Sequence, residues 1–301
     1  MPVYEATFSR TDSTSHTLML DLIGGGTQVL DVGCATGYLA RALVERGCQV
    51  TGIEYVPEAA EQARPVLSHL VIGDVTTLDL DAELGESRFD YIVLGDILEH
   101  LPDPAAVLRS LVGLLAPGGS VVLSAPNVTH GALRLALLQG RWQYTDRGLL
   151  DRTHLRFFTR TSLLELLHEA GLTALEIHPS TTGDVVDTEI EVDLEALPPG
   201  IVDWVRAQPD ALVYQWVLRA VVDDATGRAQ SLAVEVEDLR NATAAMRAEI
   251  DQVRAELATV TAQAAQAVAA RDAAWSDLAT VRATKMWRAS EAVRRGLGGS
   301  R

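Results

Sequence analysis

Cysteine is nearly absent from this sequence: Cys34 and Cys48 are the two in 301 residues. Neither has a partner at C-x-x-C spacing, which excludes a disulfide framework and favours a reducing compartment. Basic residues are also scarce, with 25 Lys and Arg against 41 Asp and Glu, a net charge of −16. A chain of that sign repels phosphate backbones, so no nucleic-acid partner is expected. Long apolar runs are missing: none approaches the roughly 20 residues that cross a bilayer. The first sixteen residues lack the basic start and apolar run of a signal peptide. A cytoplasmic protein is therefore expected.

What is present is a 48% hydrophobic composition over 301 residues, enough for one sizeable α/β domain and an appendage or for two modest domains. Up to Asp223, Gly and Pro punctuate short apolar runs: Val29–Val32, Val50–Ile53, Leu70–Ile72, Phe89–Leu94 and Ser120–Ser124. Helical patterns such as Leu39–Arg46 and Pro104–Leu115 lie between them. This alternation predicts a parallel sheet covered on both faces. Ala174–Ile177 and Leu212–Val222 offer two more strands, separated by a Thr- and Asp-rich stretch that reads as a surface excursion.

The segment Val29-Leu30-Asp31-Val32-Gly33-Cys34-Ala35-Thr36-Gly37 reads as a buried strand, a glycine turn and a helix start. Glycines 33 and 37 would let the backbone turn sharply and approach a ligand. Such a turn sits where open α/β sheets bind ligands. A dinucleotide fingerprint needs glycine two positions after Gly33, where this chain has Ala35. A ligand without a pyrophosphate fits better. Glu54, closing the second strand, can accept hydrogen bonds from two ribose hydroxyls, and Asp74 in Gly73-Asp74-Val75 can read an adenine amino group.

Together VLDVGCATG, Glu54, IGDV, FDYIVLGDILEHLPDP and LLAPGGSVVLSAPN resemble the class I S-adenosylmethionine-dependent methyltransferases over about the first 220 residues. The resemblance implies a Rossmann-like, mostly parallel seven-stranded sheet whose last strand is antiparallel. It also implies cofactor contacts at Asp31, Gly33, Gly37, Glu54, Asp74, Gly95 and Asp96, with the loop neighbours Cys34, Ala35 and Val75 beside them. A nicotinamide oxidoreductase is disfavoured by Ala35.

A sulfonium methyl is already activated, so the protein must chiefly align an acceptor. Hydroxyl acceptors need a base or a metal ion. If a helix begins at Asp96, then Asp96, Glu99 and His100 share a face. His100 is the candidate base. The Asp-x-x-Glu-His pattern is similar to that of ubiquinone-pathway O-methyltransferases, which implies that Asp96, Glu99 and His100 hold a divalent cation such as magnesium. The alternative is that Glu99 and His100 only brace the loop before Pro102.

A second polar cluster, from Pro126 to Thr159, reads as an acceptor lid. Within it Asp151 and His154 are catalytic candidates, while Phe157 and Phe158 read as core. His16, His69, His168 and His178 have no such context. The stretch GLLDRTHLRFFT resembles bacterial methyltransferases of surface-glycan and sugar modification. A sugar, glycan or other small hydroxylated acceptor is expected, with a noncatalytic scaffold as the alternative.

Between Gly227 and Arg295 there is neither Gly nor Pro, and Leu232, Val236, Leu239, Thr243, Met246, Ile250, Val253, Leu257 and Val260 recur at alternating four and three. That is a coiled-coil seam, so residues 223–301 are expected to form a coiled-coil helix that binds a partner or a second copy, following a domain of residues 1–222. The basic, aromatic end from Lys285 to Arg295 is similar to tails of bacterial polysaccharide-assembly enzymes. It is the one place where a membrane surface is an expected contact; a solvated helix end explains it equally.

Overall fold

The computed structural model describes residues 14–297. The signal-peptide reading of the first residues therefore falls almost wholly outside the described chain. The elements run α1 (Ser15–Leu22), β1 (Gln28–Val32), α2 (Tyr38–Glu45), β2 (Gln49–Glu54), α3 (Pro57–Ala63), β3 (His69–Ile72) and α4 (Leu80–Leu84). They continue as β4 (Phe89–Gly95), α5 (Pro104–Val112), β5 (Leu115–Pro126), α6 (Gly131–Leu138), α7 (Arg160–Glu169) and β6 (Leu172–Thr181). The last are α8 (Ile201–Arg206), β7 (Val213–Val222), α9 (Ala225–Ala283) and α10 (Lys285–Leu297).

The sheet has seven strands in the order β3-β2-β1-β4-β5-β7-β6. Strands β1 to β5 pair in parallel, and β7 lies antiparallel between β5 and β6. Every apolar run read as a strand is one; all but the last extend beyond the expected bounds, and Leu212–Val222 starts one residue later, at Val213. Both faces are covered, which is why the strands read as continuous apolar runs. In β1, Val29 packs with Met19, Leu39 and Leu43 of α1 and α2, while Leu30 and Val32 face Leu108 and Leu111 of α5.

Two features govern the site. The strand order reverses between β1 and β4, opening a crevice at their carboxyl ends. Because β7 runs antiparallel, its first residues come to that same edge: Gln215 pairs with Pro126, the last residue of β5. The stretch after β6 is more than a surface excursion. Val185 and Ile190 are buried against α6, in small cores with Leu133, Leu135, Leu150 and Val205.

The described residues form two compact units, one ending at Val234 and the other starting at Glu235, rather than dividing at Asp223. The start of α9 belongs with the sheet because Gly227 is buried against Val222 and Ser231 Oγ donates to the Ala174 carbonyl at 3.1 Å. Among the described residues no helix is long and apolar enough to cross a membrane.

Candidate active site

A cavity of about 610 Å³ runs along the carboxyl edge of the sheet. At one end it is lined by Asp74, Val75 and Thr76 after β3 and by Glu54, Tyr55 and Val56 after β2. Gly33 and Ala35 after β1, and Gly95, Asp96 and Ile97 after β4, line its middle. At the other end it meets Glu99, His100, Asp151, Thr153, His154, Tyr214 and Gln215.

Glu54 is fixed by backbone amides: Ala35 N donates to Oε2 at 2.8 Å and Val56 N to Oε1 at 2.7 Å. A carboxylate offers about four acceptor sites, so capacity for two hydroxyls remains. Ala35 makes this bond from the left-handed region, at φ +46°. Asp74 closes a local turn, its Oδ1 accepting from Thr76 N at 2.9 Å and Thr76 Oγ1 at 2.7 Å.

Three residues expected at the cofactor lie behind the cavity wall instead. Cys34 is buried with its Sγ beside Gly52, and Asp31 is 3% exposed inside the sheet. Gly37 caps α2, where a Cβ would stand 3.0 Å from Ala63. At Gly33, which does line the cavity, a Cβ would fall 2.2 Å from Ile97 Cδ1. These two glycines thus make room first for protein neighbours: α2 must close on α3, and the β4 loop must close on β1.

Asp31 Oδ2 has no hydrogen-bond partner, and burial, reinforced by the negative Glu54, pushes its carboxyl up to about 7 from 3.8. The fold holds this proton where the unfolded chain has released it. The group's contribution is complete below pH 3.8 and is lost as pH rises to about 7. Denaturation of the ligand-free protein should therefore show stability falling over that window, by on the order of 4 kcal/mol from this group. Asp31→Asn should flatten the slope; an unchanged slope would refute the assignment.

The segment after Asp96 is not the α-helix expected there. Asp96 itself adopts φ +55°, and only a single 3₁₀ turn, Leu98–His100, follows. This twist sends Asp96 across the sheet: Ser124 Oγ donates to its Oδ1 at 2.6 Å and Gln215 Nε2 at 2.8 Å. Among the described residues, Asp96 accordingly does not join the side chains close enough together to share a metal ion. Glu99, His100 and His154 are those side chains, each offering one ligand atom within 4.8 Å of the others. His154 enters the set because the loop after Gly148 docks on the 3₁₀ turn, with Leu155 N and Arg156 N both donating to the Glu99 carbonyl.

Glu99 is 1% exposed and neither carboxylate oxygen has a hydrogen-bond partner. Burial first, then the charge of Asp96, raises its carboxyl well above the ordinary range, opposed by its own amide. His154 stands edge-on to His100 with ring centroids 4.9 Å apart, and burial and that neighbour lower its pKa. Both effects favour the neutral imidazole, the form with a lone pair to give. Thr153 Oγ1 lies 3.2 Å from His100 Nδ1, and Thr153 donates from both N and Oγ1 to Asp151 Oδ1. The Glu99 carbonyl braces the loop after Gly148 rather than the one before Pro102, which leaves the Glu99 side chain unexplained. A pair of imidazoles and one carboxylate, the latter otherwise orphaned, fits a divalent cation, and the two nitrogens suit zinc better than magnesium.

Sequence reasoning passed over His16, whose Nε2 lies 2.8 Å from Tyr38 Oη, both lining the cavity. It also missed Tyr214 and Gln215. Tyr214 Oη donates to Glu189 Oε2 at 2.9 Å. No local signal marks these residues, because α1 and the start of β7 reach the crevice only through the topology. Phe158 is core as expected, and Phe157 packs beside α6 against Trp142.

With this geometry in hand, comparison with known proteins is decisive about ancestry. Residues 12–177 match the methyltransferase-domain family. The chain belongs to that family. It is 37% identical over 161 residues to a ubiquinone biosynthesis O-methyltransferase of Xanthomonas campestris pv. campestris, covering 49% of this chain and 66% of that protein. To the ubiquinone biosynthesis O-methyltransferase of Vibrio cholerae it is 31% identical over 180 residues, covering 56% and 72%. The chain thus spans just under two-thirds of the length of its Xanthomonas relative. A solved S-adenosylmethionine-dependent methyltransferase of Thermotoga maritima, described as a possible histamine N-methyltransferase, superposes with a TM-score of 0.50 at 17% identity. It covers 70% of this chain and 87% of that one, and shares the fold.

Proposed function

We propose that the chain transfers the methyl group of S-adenosylmethionine to a hydroxyl oxygen of a small acceptor. The observation that carries this is the single cavity joining an amide-fixed Glu54 at one end to the Glu99, His100 and His154 group at the other. The named activity of the Xanthomonas and Vibrio relatives supports an oxygen acceptor.

In this reading Glu54 holds the ribose hydroxyls and Asp74 with Val75 faces the adenine. The methionine end lies along Gly33, Ala35 and Gly95. Asp96, held by Ser124 and Gln215, offers its negative charge to that end. The acceptor enters between His100, His154, Thr153 and Tyr214, its hydroxyl turned toward the middle of the cavity. Glu99, His100 and His154 would hold a divalent cation, and such an ion would lower the pKa of a bound hydroxyl. In place of a bound cation, His100, steadied by Thr153, is positioned to take the hydroxyl proton; its one remaining lone pair serves one role or the other. Asp151 orients Thr153 and acts through it. Polar and aromatic groups together at this end suit a polyhydroxylated acceptor, a sugar or glycan unit.

Calorimetry with S-adenosylmethionine, S-adenosylhomocysteine and NAD tests the donor half. Both sulfur ligands should bind and NAD should not; absence of both would leave only a scaffold. Assaying transfer to a panel of nucleotide sugars and phenols then tests the acceptor class. Transfer to phenols alone would overturn the sugar assignment.

A further inference from the structure

Beyond Val234 every described side chain up to Arg295 is exposed, although α9 alone is 59 residues long. Helices in water are held chiefly by packing of an apolar face. Here that face is unpartnered: Leu239 is 61% exposed, Ile250 50%, Leu257 64% and Val260 60%. We propose that this helix forms a parallel, in-register, two-stranded coiled coil with a second copy of this chain.

The seam sets the register. Val236, Thr243, Ile250, Leu257, Ala264, Arg271 and Leu278 occupy the a positions; Leu239, Met246, Val253, Val260, Ala267, Ala274 and Val281 occupy d. The flanking charges then divide by position. Glu235, Glu249, Glu256 and Asp277 are at g, and Arg240, Arg247, Arg254 and Arg282 are at e. From Glu235 to Arg282 every charged g residue is acidic and every charged e residue basic.

That division selects the partner and its direction. In a parallel dimer each g residue meets the e residue five positions later on the other chain. Glu235 then faces Arg240, Glu249 faces Arg254 and Asp277 faces Arg282, each twice by symmetry. Glu256 meets Thr261, and Arg247 meets Ala242, so no like charges oppose. In an antiparallel pair g faces g and e faces e, so every charged contact would be repulsive. Such a sequence is complementary to itself in one orientation. Arg271 at a favours two strands over three or four, since only a pair leaves its guanidinium a short path to water along the flank. Ala264, Ala267 and Ala274 let the two backbones approach closely around it.

Light scattering of the full chain should give twice the chain mass of 32.4 kDa. A single mass, or three or more copies, would overturn the proposal. Orientation is read from Leu239→Cys: two d positions at one level lie within disulfide reach in a parallel, in-register pair only. Both native cysteines are buried and do not compete. Oxidation should give a covalent dimer; its absence from a protein of twice the mass would overturn the parallel register. Arg240→Glu/Arg254→Glu/Arg282→Glu should raise the dissociation constant by more than about tenfold. Glu235→Arg/Glu249→Arg/Asp277→Arg should do the same, and mixing the two proteins should restore a heterodimer. Failure to pair on mixing would refute the charge assignment even if either variant folded poorly alone. None of these outcomes depends on the methyl-transfer reading.

Discussion

Glu99→Gln should weaken binding of zinc by more than about 100-fold and reduce methyl transfer by roughly two to four orders of magnitude. Its affinity for S-adenosylhomocysteine should stay near that of the unaltered protein, because Glu54 and Asp74 lie at the other end of the cavity. Glutamine keeps the shape and one acceptor oxygen but removes the charge a cation needs. Cation affinity in the unaltered protein should rise with pH, since burial holds the Glu99 proton and binding must release it. Metal titration by calorimetry, with chelation as a parallel arm, reads the first effect. Undiminished metal binding would remove Glu99, His100 and His154 from the mechanism.

Glu54→Ala should lower affinity for S-adenosylhomocysteine by at least about tenfold, and by roughly a hundredfold if both ribose hydroxyls bond to the carboxylate. The same change strips the acceptor from two backbone amides, Ala35 N and Val56 N. Left unpaired, they should reduce stability by about 1–3 kcal/mol. Glu54→Gln separates the two effects: its carbonyl oxygen can still serve one amide, so the fold is kept while the charge is gone. A Gln variant that binds the cofactor normally would show that the ribose sits elsewhere.

The strand ends were legible because their chemistry is local. An apolar run closing on Gly33, on Glu54 or on Gly73-Asp74 announces a loop at the carboxyl edge, and the cavity is lined by those loops. The Asp96 segment was misread for an equally local reason. Spacing suited a helix face, but a positive φ at Asp96 and Pro102 downstream allow one 3₁₀ turn only, so Asp96 and Glu99 diverge. His154 was named without its partners. Its approach to Glu99 and His100 depends on hydrogen bonds across more than fifty residues of chain.

The sequence by itself determined the alternation of strands and helices, the glycine turn after β1, the acids at the strand ends and the heptad of the last helix. Each of these is written in neighbours a few residues apart, where steric and hydrophobic rules act directly. Only the tertiary structure decided that Asp31 and Glu99 keep buried carboxyl oxygens without a partner, and which side chains from α1 and β7 complete the cavity. It also decided that Asp31 and Cys34 are buried, and Gly37 packed against α3, outside the cavity lining. Those outcomes depend on which segments meet across the sheet edge, and strand order, unlike periodicity, has no local signature.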